Sequence, residues 1–391
     1  MPSLTPALDL PEPPAELAEL SHQLCTRIID EIETTGPMPF DRYMSMALYE
    51  PGLGYYVNGL HKFGPGGDFV TAPEQGTLFA ASLARQIDAV AGALGDGWSV
   101  LELGAGSGAL SRDLLERLQQ PPAQYLIVEP SAVLRQVQAK TLAALPTPLQ
   151  GRVEWLDAPP ADPFSGVMVA NEVLDALPVA RFALTDQGWV EHCVAYNGHR
   201  LVWQPRPPRR RLEQAIERLA GKLGRRLPTG YTSELSLNLA GLIETVTAPL
   251  ARGLVLLIDY GYPRDEYYHP QRSDGTLVCH YRHRAHFEPF AWPGLTDISA
   301  FVDFTAAAEA GAGAGLEVSG FTSQAGFLLG LGAADALALA GNERERLKLA
   351  GELKRLTLPA EMGEKFKVLG LTRDLDQPLE GFEMMSQLHR L

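Results

Sequence analysis

The alternation of apolar and polar positions changes character several times along the chain. From Leu20 to Glu33, apolar residues at Leu20, Leu24, Ile28, Ile29 and Ile32 recur at helical spacing, which predicts a helix ended by Gly36 and Pro37. The residues before it, up to about Leu17, are rich in proline and small side chains and read as a mobile leader. Next come MPFDRYMSMALYEPGLGYYVNG, dense in aromatic and turn residues, and KFGPGGDFVTAPE, whose Gly64, Pro65, Gly66 and Gly67 oppose regular structure. From Trp98 short apolar strands alternate with helical stretches: WSVLEL, a helix Gly108 to Gln119, YLIVE, a helix Ser131 to Leu145, RVEWLD and FSGVMVAN. That rhythm implies right-handed crossovers and a parallel sheet covered by helices on both faces.

The rhythm breaks after Asn171. Residues Arg181 to Gln204 read as three antiparallel strands with turns at DQG and NGH, followed by helical stretches around Arg209 to Leu223 and Leu235 to Leu250. GLVLLIDYGYP then resumes the buried-strand pattern, and LEVSGFTS and KFKVLGLTRD look like two last strands, with helices Ser323 to Leu331 and Asn342 to Leu356 between them. The expected fold class is α/β, a doubly wound Rossmann-like core with an N-terminal helical extension and an inserted α+β lobe. The expected divisions are 1–95 for the extension and a cofactor-covering loop, 96–180 and 252–391 for the two parts of the core, and 181–251 for the insertion.

Composition narrows the function classes. A chain of 391 residues exceeds the roughly 250 to 300 at which a single core stops growing, so two lobes are expected. The balance of 33 basic against 47 acidic side chains gives a formal charge of -14, which opposes a nucleic-acid partner. Cys25, Cys193 and Cys279 lie far apart with no CxxC, suggesting neither a disulfide framework nor a zinc site. The N-terminus lacks a basic, then apolar, signal pattern, and no apolar run approaches the ~20 residues of a membrane helix. A soluble, cytoplasmic protein without membrane insertion is the expectation.

The candidate chemistry starts at VLELGAGSGAL, Val100 to Leu110, an apolar strand running into Gly104, Gly106 and Gly108. In an open parallel sheet such a turn lies at the strand ends where ligands bind, and the glycines alone fit a dinucleotide fingerprint as well as any other nucleotide site. Glu102 separates the readings. A pyrophosphate is repelled by a carboxylate, whereas S-adenosyl-L-methionine carries an ammonium and a sulfonium and no phosphate. Glu129 ends the next strand and can accept from two ribose hydroxyls, and Asp157 after the third strand can meet an adenine amino group. Each of these two acids also suits a helix N-terminus or a loop with no ligand.

The fourth strand delivers Asn171, Glu172 and Asp175 in VMVANEVLDALPV. If Glu172 opens a helical turn, Asp175 shares its face, and paired acids suit a planar, permanently charged guanidinium. The plain alternative is that Asp175 caps the next helix. Asp259, Tyr260 and Tyr262 follow the fifth strand, and His280, Arg282, His283, Arg284 and His286 crowd a later segment, read as a polar substrate-facing loop in preference to a metal site. RPPRRR, Arg206 to Arg211, reads as a solvated face of the insertion, or as a grip for an acidic partner.

Taken together, ALYEPGLGYYVNG, GGDFVTAPE, LELGAGSG, NEVLDALPV, IDYGYP, GTLVCHYRHRAH and DISAFVDF resemble the MidA-type methyltransferases, the family that includes the mitochondrial arginine methyltransferase assisting respiratory complex I assembly. The resemblance runs from about Pro37 to near the C-terminus. It implies a seven-stranded methyltransferase core and an S-adenosyl-L-methionine donor contacted by Gly104, Gly106, Glu129 and the Asn171/Glu172 step, with Phe69 and Thr71 closing over it. It also implies a protein acceptor with an accessible arginine, a respiratory-complex subunit being one candidate, and leaves a homodimer open. On this reading Asn171, Glu172 and Asp175 are the catalytic group, and Asp259, Tyr260, Tyr262, His280 and Arg282 face the substrate. The sequence departs from the family at Phe301, where a histidine is common, and at Gln75 and Gly76, where Ile-Ser is usual. Phe301 cannot exchange a proton, so no acid–base role carries over to it. A small-molecule acceptor, or an assembly factor that holds the cofactor without turnover, remain alternatives.

Overall fold

A computed structural model of the protein describes residues 10–59 and 71–391. Its central sheet is built from β1 (Ser99–Leu103), β2 (Gln124–Val128), β3 (Val153–Leu156), β4 (Phe164–Asn171), β5 (Leu250–Tyr262), β6 (Glu317–Ser323) and β7 (Phe366–Arg373). These lie in the order β3-β2-β1-β4-β5-β7-β6, with Val302–Asp303 as a short additional strand at the end of β5. β7 runs antiparallel to both neighbours and the other pairings along this path are parallel. The chain order reverses at β1/β4, so a ligand crevice is expected beyond the carboxyl ends of those two strands.

Both faces of the sheet are covered. In β5, Leu254, Leu256 and Ile258 pack into one core and Val255 and Leu257 into the other, which is why the segment reads as an unbroken apolar run. The first core is roofed by α3 (Leu78–Leu94) and α4 (Ala109–Arg117), the second by α7 (Leu239–Thr247) and α8 (Phe304–Gly313). Two of these helices, α3 and α8, carry no sequence expectation. α3 buries residues almost all round, including Leu78, Phe79, Leu83, Ile87 and Val90, and so has no polar face to mark its period.

The remaining helices are α1 (Ala15–Thr35), α2 (Phe40–Tyr49), α5 (Ala132–Leu142), α6 (Arg210–Lys222), α9 (Gln324–Gly330) and α10 (Glu343–Thr357), besides several single turns. α1 begins inside the stretch read as a leader: Pro14 stands at its N-cap, and the Pro14 carbonyl accepts from the N–H groups of Leu17 (3.0 Å) and Ala18 (2.9 Å). The insertion contributes Ala180–Thr185, Gly188–Tyr196, Leu201–Arg206 and Thr232–Leu235 to a five-stranded antiparallel sheet completed by Met38–Pro39 from the N-terminal extension. Where a helix was expected from Leu235, the chain first forms the Thr232–Leu235 edge strand, and the helix starts at Leu239. Val278–Tyr281, Arg284–His286 and Asp297–Ser299 make a further small antiparallel sheet. Its Cys279 and Ile298 share a core with Leu24, Ile28 and Phe40 of the extension and Val194 of the insertion.

The RPPRRR run is not purely a solvated face. Arg209 pairs with Asp41 of α2 at 2.5 Å and with Glu191 at 3.2 Å, and Arg211 donates to the Leu237 carbonyl, while Arg206 and Arg210 are exposed. At Gly76, a Cβ would collide with the Glu352 carboxylate, whose Oε2 accepts from the backbone N–H groups of Thr77 (3.0 Å) and Leu78 (3.3 Å). Glycine at this departure from the family pattern lets α10 cap the start of α3 from outside. Among the described residues, no helix is long and apolar enough to cross a membrane.

Candidate functional site

A cavity of about 680 Å³ opens beyond the carboxyl ends of β1, β2 and β4. Its floor is the turn after β1. Gly104 and Gly106 have φ of 62° and 53°, and a Cβ on Gly104 would come within 3.3 Å of Val173 Cγ2, so glycine lets a ligand meet bare backbone. Gly108 does not line the cavity; it starts α4 at φ 81°, where a Cβ would lie 3.1 Å from the Gln138 Cα. Gln138 ties the region together. Its Nε2 donates to the Gly106 carbonyl (3.1 Å) and to Glu129 Oε2 (3.2 Å), and its Oε1 accepts from Trp155 Nε1 (2.9 Å).

Glu102 and Glu129 both line this end. Glu102 is 3% exposed, and its Oε2 accepts the hydroxyls of Ser111 (2.5 Å) and Tyr125 (2.6 Å). The carboxylate read as a partner for a cationic ligand therefore also fastens β1 to α4 and β2, a duty invisible in the sequence. Glu129 Oε1 accepts from the Ser131 N–H at 2.9 Å, and each of its oxygens keeps a second lone pair for a ligand hydroxyl. Burial pushes both carboxyls above their ordinary value. Asp157 lines the rim, largely exposed, bonded to Arg135 at 2.5 Å. Thr71 also lines the cavity, with Glu74, which accepts from the Ser107 hydroxyl; Phe69 lies outside the described residues.

The other end is acidic. Asn171, Glu172 and Asp175 leave β4 together and all line the cavity. The turn that carries them is held by Asp259, which does not line it. Asp259 Oδ2 accepts from the backbone N–H groups of Val173 (3.1 Å), Leu174 (2.8 Å) and Asp175 (3.2 Å), and Oδ1 from Tyr260 (2.8 Å). This nest fixes Glu172 at φ 54°, a left-handed conformation costing a non-glycine residue ~1–2 kcal/mol. The expectation that Asp259 faces substrate thus becomes a positioning role.

Burial first, then the Asp175 charge, pushes the Glu172 carboxyl up to about 8, against hydrogen bonds from Asn171 Nδ2 (3.1 Å) and the Ala72 backbone. Asp175 is raised well above the usual carboxylate range by burial and by Asp259 and Asp297. Asn171 Oδ1 is buried without a hydrogen-bond partner among the described residues, an acceptor suited to an ammonium.

Tyr260 and His280 line the cavity; Tyr262 and Arg282 do not. Tyr262 stacks on Phe301 (5.5 Å between centroids) with the Arg272 guanidinium 4.1 Å over its ring. Arg282 and His283 form the exposed tip between two strands, both at positive φ, and among the described residues no group of three or more potential metal ligands assembles. Phe301 lines the cavity and stacks on Tyr260 as well. Sequence reasoning did not single out Tyr49, Tyr56, Asp297 or Lys365, which also line it. Asp297 lay within a quoted block, DISAFVDF, as an acid inside an apolar run, and that was the available signal.

Residues 81–322 match a family model described as "putative S-adenosyl-L-methionine-dependent methyltransferase". The chain is similar to a Burkholderia thailandensis protein crystallised with S-adenosyl-homocysteine, with 42% identity and a TM-score of 0.92, covering 98% of this chain and 100% of that one. Among curated proteins, it is 28% identical to the mitochondrial protein arginine methyltransferase NDUFAF7 of Mus musculus, over 92% of this chain and 86% of the relative. It is 29% identical to the NDUFAF7 homolog of Drosophila melanogaster, over 97% and 93%.

Proposed function

The chain belongs to this family of S-adenosyl-L-methionine-dependent methyltransferases, and from that premise we propose that it methylates a guanidinium nitrogen of an arginine in a partner protein. The observation that carries the proposal is the acidic end of the cavity, where Glu172 and Asp175 meet the same space as the glycine turn. Buried carboxylates of like charge repel, and a permanent cation relieves them. A guanidinium is such a cation, planar and rich in N–H donors that carboxylates accept in pairs. The relatives named as protein arginine methyltransferases support the same acceptor.

S-adenosylmethionine supplies an electrophilic methyl carbon and leaves as a neutral thioether. The chain's part is placement. Glu129 would accept from the ribose hydroxyls, Asp157 would meet the adenine amino group, and Asn171 Oδ1 and Glu102 would face the cationic methionine end. Gly104 and Gly106 would let backbone approach, with Gly108 and Gln138 keeping the turn in shape. Glu172 and Asp175 would hold the guanidinium so that one nitrogen sits ~3–3.5 Å from the methyl carbon. No strong base is needed beforehand, since the proton can leave nitrogen as the new bond forms, and a Glu172 oxygen with raised proton affinity suits its uptake.

We assign donor binding to 96–180 and 252–391, and acceptor access to 1–95 and 181–251. The three free, buried cysteines fit a reducing compartment, which we take as cytoplasmic, and a respiratory-complex subunit is the acceptor class the resemblance favours. The test compares methyl transfer from labelled donor into extract protein by the wild type, Glu172→Gln and Asp175→Asn. Loss of about 100-fold or more with donor binding retained is expected; full transfer by both variants refutes these roles.

A further inference from the structure

Glu74 ends the sequence block GGDFVTAPE and lines the cavity from a single helical turn, Ala72–Gln75, with Thr71 and Pro73 beside it. Its Oε1 accepts the hydroxyl of Ser107, which stands between Gly106 and Gly108 in the turn after β1. The Ser107 oxygen in turn accepts from the Ala109 N–H at 3.4 Å, at the start of α4. Among the described residues, Glu74 Oε2 has no hydrogen-bond partner, and no lysine or arginine pairs with this half-buried carboxylate. The turn that carries it is held from the other side by α10. There Glu352 Oε2 accepts from the N–H groups of Thr77 and Leu78, and Arg355 donates to the Gln75 carbonyl at 3.3 Å.

The order of the strands says which part of the donor arrives at this acid. Asp157 follows β3 and Glu129 follows β2, so a donor with its adenine and ribose at these two residues lays its nucleoside over β3 and β2. The methionine end then extends over β1 and β4, the side of the glycine turn, where Ser107 holds Glu74. That end carries an ammonium and a carboxylate, and a protein carboxylate attracts the first and repels the second. Glu102 has its Oε2 occupied by two hydroxyls, whereas Glu74 offers an oxygen with no partner.

We propose that Glu74 binds the ammonium of the donor's methionine end together with Asn171 Oδ1, so that the N-terminal extension, assigned above to acceptor access, also completes the donor site. An ammonium brings three N–H donors, and these are two acceptors of the cavity left without partners among the described residues. The inference rests on the donor placement given above and is independent of the acceptor. Ser107 orients the carboxylate, and α10 holds its turn against the cavity.

The test is calorimetric titration of the intact protein at neutral pH with S-adenosylhomocysteine, which keeps the ammonium, and with its deamino analogue, in which hydrogen replaces the amino group. The wild type should bind S-adenosylhomocysteine more tightly. Glu74→Gln should weaken S-adenosylhomocysteine by at least about tenfold and leave the deamino analogue bound no more weakly than by the wild type. Equal weakening of both ligands would mean that Glu74 only shapes the turn, and it overturns the inference, as does wild-type affinity of Glu74→Gln for S-adenosylhomocysteine. A wild type that binds both ligands equally also overturns it and leaves the donor reading standing. A wild type that binds neither removes the donor reading and the inference together. Should Glu74→Gln fail to fold, an experimental structure of the wild type with S-adenosylhomocysteine decides. An ammonium nitrogen within hydrogen-bond distance of a Glu74 oxygen supports the inference, and an ammonium seated away from Glu74 overturns it.

Discussion

Replacing Glu172 with glutamine should stabilise the ligand-free protein at alkaline pH and leave it little changed at acid pH. The folded protein raises the Glu172 carboxyl from the ordinary 4.5 to about 8, through burial and then the Asp175 charge. Below the ordinary value, folded and unfolded chains both hold the proton and the full stability is present. As pH rises toward 8 the unfolded chain has released its proton while the folded chain has not, and stability falls by ~1.4 kcal/mol per pH unit. Carried across the whole window, this reaches at most ~5 kcal/mol. Glu172 is only half-buried, so water in the cavity screens part of it and ~2–4 kcal/mol is the working figure. Glutamine has the same shape and the same left-handed backbone strain, so the comparison isolates the charge. Relieving Glu172 also relieves Asp259, which the Glu172 charge raises. Thermal unfolding of both proteins from about pH 5 to about pH 9 should show the variant's midpoint climbing progressively above the wild type's from about pH 5, reaching a few degrees and levelling off above about pH 8. A difference that is constant with pH, or larger at acid pH, would refute the reasoning.

Asp259→Ala leaves four backbone N–H groups without their acceptor, those of Leu174 and Asp175 buried and those of Val173 and Tyr260 part-buried, and should cost about 2–4 kcal/mol, with transfer lost. Asp259→Asn, which keeps one carbonyl for the three-amide nest, should cost about 1–2 kcal/mol; denaturant titration beside transfer kinetics checks both. Gly76→Ala places a Cβ on the Glu352 carboxylate and loosens the cap of α3, so a loss of about 2 kcal/mol or more is expected in the same titration, and an unchanged midpoint contradicts the packing described. Glu129→Ala should weaken S-adenosylmethionine by about 10- to 100-fold in calorimetry if the carboxylate meets the ribose; wild-type affinity would remove it from the donor site.

The glycine-turn end of the cavity was readable because its carriers are buried strands: β1, β2 and β4 are apolar runs that lead into a glycine or an acid, β5 meets Asp259 near its end, and such positions fall where a parallel sheet opens its crevice. Sequence could place Glu102 and Asp259 at those stops but not say what faces them. Glu102 proves to be held by hydroxyls from α4 and β2, and Asp259 by three amides of a turn far away in the chain. The acidic wall of the cavity was harder still. Tyr56 comes from the N-terminal extension and Asp297 from a three-residue strand, and only the pairing of small sheets brings them beside Asp175. Helix α3 escaped for the opposite reason, since a helix buried on nearly every side shows no stripe.

Where the methyl group lands decides what the acceptor is. The intact protein, given S-adenosylmethionine with a trideuterated methyl and a cell extract, should yield a labelled partner protein in which mass spectrometry locates the label on an arginine side chain. Label found on lysine or on a carboxyl group, or confined to small molecules, would contradict it.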